Sequence, residues 1–288
     1  TPAVSSSQAP ISSSEPASSS STPSSSSVSS GTVSETITGN VKELSISNSG
    51  IQYENMWVKN TNQNHDIDIG AELAKEPAVK MKKDGTIQIL IYHTHTTEAF
   101  AGSSRTQDNS QNVVAVGEEI KKQLEAAGFG VVHDTTCHDY PSYNGAYDRS
   151  GETIQRNLEK YPDIQVTLDV HRDAMGTQDG IRLKPTAMIQ GKKAAQIMII
   201  SGCDDDGTLG FPDWEYNLRL GVRVQKSLSD LYPGLARPLS FCPRKYNEHM
   251  TKGSLLVEFG TEVNTLEEVK YSGQLFGKAL AETLNQLT

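Results

Sequence analysis

The stretch "TIQILIYHTHTTEAF", residues 86–100, decides the fold. Its first half is a short, continuous apolar run, the pattern of a strand covered on both faces. Its second half sets His93, His95 and Glu98 directly behind that run. A strand covered on both faces needs helices around it, and the sequence downstream supplies them. "NVVAVGEEIKKQLEAAG" (112–128) has apolar residues at helical spacing and closes on Gly128, a good C-cap residue. "FGVVHD" (129–134) reads as a strand, "YDRSGETIQRNLEKYP" (147–162) as a helix ending before Pro162, and "IQVTLDVHRD" (164–173) as a strand. "AAQIMIISG" (194–202) is a further apolar strand, and "DWEYNLRLGVRVQKSLSDLYPG" (213–234) a long helix closed by Pro233 and Gly234. "GSLLVEFG" (253–260) and "TLEEVKYSGQLFGKALAETLNQL" (265–287) complete the pattern as strand and helix.

Strands alternating with helices predict an α/β fold with a mostly parallel central sheet and helices on both faces. In such sheets the site lies beyond the carboxyl ends of the strands. Three polar clusters stand at those ends: "YHTHTTE" (92–98), "DVHRD" (169–173) and "VEFGTE" (257–262).

Upstream, "DIDIGAELAKEP" (66–77) reads as a short helix closed by Pro77, and "VKELSIS" (41–47) alternates as a half-buried strand does. Residues 1 to about 40 are mostly serine and proline, with almost no large apolar side chain. Such a segment cannot offset its conformational entropy by burial and is expected to be a disordered linker. The folded catalytic domain is then 41–288, with 41–80 an N-terminal extension of it. A linker of this kind spaces a domain from something upstream, for which a membrane anchor is the natural candidate. The chain opens at Thr1 with no visible signal peptide, which reads as a processed or trimmed form.

The 288 residues carry a formal net charge of −9. That balance argues against nucleic-acid binding, which needs a basic face. No apolar run approaches the ~20 residues that span a bilayer. Three cysteines, Cys137, Cys203 and Cys242, leave at least one unpaired and form no Cys-x-x-Cys clip.

The clusters admit a metal. Catalytic zinc takes three protein ligands from histidine, carboxylate or thiolate and keeps one open position. His95-Thr-Thr-Glu98 has His-x-x-Glu spacing, which a short loop can turn onto one ion, and His171 is placed on a separate strand as the third ligand. His93 competes with His95, because on a continuing strand both point to one side; a strand that breaks near Thr94 favours His95. His133, His138 and His249 have no second ligand at a convincing spacing and read as structural. Glu258, at the end of an apolar strand, must be paired, ligated or poised for acid–base work. Arg172 is either its partner or a cation for a substrate carbonyl or carboxylate.

At these residues the chain resembles the sporulation protein P family (SpoIIP), cell-wall hydrolases of endospore-forming Firmicutes. The resemblance rests on "LIYHTHTTEAF" (90–100), "NVVAVGEEIKKQLEAAG" (112–128), "TLDVHRDA" (167–174) and "YNEHMTKGSLLVEFGTEVNTLEE" (246–268), and covers about residues 40 to 288. The family is similar in turn to zinc N-acetylmuramoyl-L-alanine amidases, which carry "GHGG", "IHAN" and "VExGF" in the same order. The resemblance implies Zn2+, with His95 on the first motif, His171 on the second and Glu258 on the catalytic glutamate. General amidases place a glutamate ligand farther on, where this chain has "TQDNSQN" (106–112) and only Asp108. The carboxylate ligand is therefore assigned to Glu98, with Asp108 as the alternative. The activity implied is cleavage of the peptidoglycan amide between N-acetylmuramic acid and L-Ala, with peptide cross-links as further targets. The setting implied is the sporulation septum during forespore engulfment, membrane-anchored and beside SpoIID- and SpoIIM-like proteins. Two other readings share the motifs: a metallo-carboxypeptidase, which needs an arginine that none of Arg149, Arg172 and Arg182 clearly supplies, and a non-catalytic wall-binding scaffold.

Overall fold

The computed structural model describes residues 30–288. Thirteen strands run β1 (Gly31–Thr32), β2 (Thr36–Thr38), β3 (Val41–Leu44), β4 (Ile51–Tyr53), β5 (Met56–Asn60), β6 (Ile87–Tyr92), β7 (Gly130–His133), β8 (Val166–Asp173), β9 (Arg182–Ile189), β10 (Lys192–Ala195), β11 (Ile197–Gly202), β12 (Leu239–Cys242) and β13 (Ser254–Thr261). Five helices are α1 (Ile69–Ala74), α2 (Val113–Ala126), α3 (Ala146–Lys160), α4 (Trp214–Leu231) and α5 (Leu266–Asn285).

Eight strands form the central sheet in the order β4-β5-β12-β11-β13-β8-β6-β7. Only the β4–β5 and β11–β13 pairings are antiparallel, so the expected mostly parallel α/β sheet stands. The apolar run of β6 explains its place. Ile89 and Ile91 face one side and join a core with Val113, Val116 and Ile120 of α2 and Leu280 of α5. Leu90 and Tyr92 face the other side and pack on Ile154 of α3. Both faces are thus covered, as a period of two on a buried strand requires. Each such fully buried side chain contributes about 1.5–3 kcal/mol. The same covering buries β8 from Val166 through Arg172, which carries charged groups into the interior on its way to the sheet edge.

The sequence reading differs from the structure in three places. The strand expected over 194–202 is two strands, because Gln196 leaves the ladder; its Oε1 accepts from Ile46 N at 2.7 Å, and its Nε2 donates to Gly234 O at 3.0 Å. β10 therefore belongs with β9, and β11 with the central sheet. The linker boundary near residue 40 moves toward the N-terminus: β2 pairs with β3, and β1 with β9, in a small second sheet ordered β1-β9-β3-β2. The rest of the expected linker, residues 1–29, lies outside the described residues. β4, β5, β9 and β12 were not legible as strands at all. Among the described residues no helix is long and apolar enough to cross a membrane.

Candidate metal centre

β6, β8 and β13 are adjacent and parallel, so their carboxyl ends meet at one edge. The loop leaving β6 is fastened by its threonines. Thr94 donates through N and Oγ1 to Asp169 Oδ1 and Oδ2 at 2.9 and 2.7 Å. Thr96 Oγ1 donates to His93 O at 2.9 Å, and Thr97 Oγ1 to Asp139 Oδ2 at 2.7 Å. This turn separates the two histidines. His93 goes inward, with Nδ1 2.9 Å from Val170 O and Nε2 2.8 Å from His133 Nε2. Burial holds both imidazoles of that pair low, His93 at about 3 and His133 at about 4, so both are neutral.

His95 goes the other way. Its ring stacks on Tyr143 with centroids 4.5 Å apart and meets Tyr147 and His171 edge-on at 5.5 and 5.0 Å. His95 Nδ1 lies 3.3 Å from Glu98 Oε1, and His171 Nδ1 lies 3.3 Å from Glu98 Oε2. The donor atoms of all three residues fall within 4.8 Å of one another. Burial works to raise the Glu98 carboxyl, but the imidazoles, His171 foremost, hold it well below the usual carboxylate range. Conversely, burial disfavours the His171 cation, yet Asp169 and Glu98 raise its pKa well above the ordinary value. Asp169 Oδ1 stands 2.9 Å from His171 Nε2, off the line of a hydrogen bond. It takes the position of the carboxylate that orients a metal-ligating histidine through its far nitrogen.

The donor set fits a zinc ion. Two imidazole nitrogens and a carboxylate converge, and at 3.3 Å each His–Glu approach exceeds the ~2.7–2.9 Å of a charge-assisted hydrogen bond. Two nitrogens drawn toward one carboxylate but too far apart to bond it well leave room for a shared cation.

Glu258 stands opposite His171 in the parallel β8–β13 ladder. The residue is partly exposed, but its Oε2 is enclosed and has no hydrogen-bond partner among the described residues. Burial raises its carboxyl to about 8; His171 opposes this, and Asp173 and Glu98 add to it.

The other expected residues lie elsewhere. Asp108 is exposed, and its Oδ1 accepts from Ser110 N and Oγ at 3.0 and 2.7 Å. Arg172, expected to pair with Glu258 or meet substrate, is turned away from His171 by the alternation of β8. Its guanidinium donates to Ala99 O at 2.7 Å, Ser104 O at 2.6 Å and Asp173 O at 3.3 Å, and its main-chain N to Glu98 Oε2 at 3.1 Å. It therefore holds the Glu98 loop. Arg149 is likewise committed to the carbonyls of His138, Ser142 and Asn144. His138 is structural, bridging His93 O and Thr153 Oγ1. Sequence reasoning missed Asp169, although it stands two residues before His171 and period two puts both on one face. It also missed Tyr143, Tyr147 and Arg237, which bonds Asp173 Oδ2 at 2.8 Å near Glu258; none carries a local signal.

Among solved structures, the chain is similar to the N-acetylmuramoyl-L-alanine amidase AmiC2 of Nostoc punctiforme, at 10% identity and a TM-score of 0.43 over 69% of this chain and 96% of that one. It is similar to the CwlD amidase from Clostridioides difficile, solved with the GerS lipoprotein, at 10% identity and a TM-score of 0.42 over 69% and 98%. In sequence it is 26% identical over 228 residues to stage II sporulation protein P of Bacillus subtilis (strain 168), covering 72% of this chain and 53% of that protein. The chain thus spans about half the length of that relative. The model of the SpoIIP family matches residues 6–281, from within the serine-rich segment to the last helix and across the ends of β6, β8 and β13. On that match the chain belongs to the stage II sporulation protein P family.

Proposed function

We propose that the protein is a zinc-dependent peptidoglycan hydrolase that cleaves the amide between N-acetylmuramic acid and the L-Ala of the stem peptide. The observation that carries this reading is the convergence of His95, Glu98 and His171 beside a Glu258 oxygen that has no partner among the described residues. Family membership supports the substrate class.

An amide hydrolyses slowly because its carbonyl is a weak electrophile and its nitrogen a poor leaving group. His95, Glu98 and His171 would hold the ion, which when bound supplies Lewis acidity to a carbonyl and acidifies water. Asp169, through His171, orients one ligand, and Arg172 N and the threonine-pinned loop hold another. Glu258 Oε2 takes the proton of the attacking water and delivers it to the departing nitrogen. Burial raises that carboxyl to about 8 in the metal-free chain, which favours the form that delivers a proton, and a cation held beside it would lower it toward the form that accepts one. Tyr143 and Tyr147 flank His95 and shape the approach of substrate. On this reading the enzyme works in wall remodelling at the sporulation septum, beside SpoIID- and SpoIIM-like proteins and held at the membrane.

The test is digestion of purified sacculi by zinc-loaded protein, with products separated by mass. Free stem peptides with a new N-terminal alanine, beside intact glycan strands, are the expected result. Release of single terminal amino acids would make it a carboxypeptidase, and binding without cleavage a scaffold.

A further inference from the structure

The antiparallel β11–β13 pairing reverses strand sense in mid-sheet, so the sheet has two carboxyl edges on opposite sides. One carries His95, Glu98 and His171. At the other end β5, β12 and β11, which are mutually parallel. The loops leaving β5 and β11 are bound together there. Asp205 accepts from Gln63 N and Asn64 N, both at 2.9 Å, which draws the 61–65 loop over the end of β11. That contact brings His65 next to Asp205 and Cys203, and one donor atom from each of the three lies within 4.8 Å of the others.

The three side chains are placed rather than loose. The His65 ring packs on Trp214 with centroids 4.8 Å apart, and neither of its nitrogens has a hydrogen-bond partner among the described residues. Cys203 is fully buried, and its main-chain N donates to Arg244 O at 3.0 Å. Its thiol likewise has no hydrogen-bond partner among the described residues. The neighbouring Asp204 serves the following loop instead, its two oxygens accepting from Leu209 N and Phe211 N at 2.9 Å. Among the described residues Asp205 Oδ1 accepts only from Asn64 N, and it keeps a second lone pair for an ion.

We infer that His65, Cys203 and Asp205 form a second divalent-cation site, of zinc chemistry, at the carboxyl edge opposite the first. Ligand atoms about 2.0–2.3 Å from a tetrahedral ion stand roughly 3.3–3.8 Å apart, so side-chain rotation of about 1 Å closes the set. A thiolate with an imidazole and one carboxylate suits zinc and disfavours calcium and magnesium, which take oxygen cages. Binding moves the Cys203 thiol proton to solvent and forms the sulfur–metal bond. The ion clips the loop that leads into α1 onto the ends of β11, and so acts on stability rather than on turnover.

The test separates the two sites by their donors, because only this one contains sulfur. The full chain, and a His95→Ala/His171→Ala form, are loaded with zinc for metal analysis and with cobalt for absorption spectra. Two equivalents of zinc are expected in the first and one in the second. Both should show the near-ultraviolet thiolate-to-cobalt charge-transfer band. Cys203→Ser should abolish the band, and His65→Ala should weaken it and cut zinc by one equivalent while the first centre stays filled. Absence of the band from the cobalt-loaded full chain would overturn the inference, as would its persistence in both Cys203→Ser and His65→Ala. The two variants guard against one that fails to fold.

Discussion

Glu258 and His171 occupy paired positions on β13 and β8, so a buried carboxyl oxygen with no partner among the described residues and an imidazole held between two carboxylates share one face of the sheet. Replacing Glu258 tests the division of labour this implies. Glu258→Gln keeps the shape and removes the proton acceptor. Turnover on sacculi should fall on the order of 10²–10⁴-fold with zinc content unchanged, measured on the same preparation. Loss of the zinc would make Glu258 a ligand.

The same residue gives the metal-free protein a pH signature. Its carboxyl sits at about 8 in the fold against an ordinary 4.5. The folded state therefore holds an extra proton between those values. The stabilisation is complete below the lower value and is lost as pH rises through the higher one. In chelator, wild type should lose stability relative to Glu258→Gln across that window. Denaturant titrations at several pH values check this; a constant difference would refute it.

The ligand set sorts by metal content at the first centre. His95→Ala and His171→Ala should each empty it, and Glu98→Gln should weaken it. Asp169→Asn should lower affinity about 10–100-fold by loosening His171, read by chelator competition. Asp108→Asn, at an exposed carboxylate bonded to Ser110, should leave zinc content unchanged.

Behind the centre, α2 passes the neutral His93–His133 pair at Gly117. A Cβ there would lie 2.7 Å from His133 Nε2 and 2.9 Å from His93 Nε2. Gly117→Ala should destabilise the fold by about 1–3 kcal/mol, the usual range for overpacking, in equilibrium unfolding.

At the N-terminus, a chain starting at Val41 lacks β1 and β2 and exposes the edges of β9 and β3. It should melt below a chain starting at Ser30. Equal melting temperatures would mean that these two strands add nothing.

Most of the α/β order was legible because β6, β8 and β13 are apolar runs and α2, α4 and α5 keep helical spacing. Those signals depend on burial, which the local sequence records. The short strands β5 and β12 are set by pairing with each other across the sequence, and β1 by β9, which no local pattern announces. At the site, His95, Glu98 and His171 were legible from their place behind apolar strands. The direction of Arg172 was not, since it follows from the carbonyls of Ala99 and Ser104, which come near only after folding. Asp169 was within reach of the alternation rule, and the residues that ring His95 were not.

Asp169 joins two segments 75 residues apart, accepting from Thr94 on the β6 loop while touching His171 on its own strand. On the proposed reading, the seat for the ion is held in shape by the chain's own hydrogen bonds. Capture then demands little ordering of the chain, in contrast to small zinc domains that collapse only around their metal. Such a centre can be stripped and reloaded without a cycle of unfolding. On the proposed reading, removing zinc and restoring it should switch activity off and on with no change in the fold.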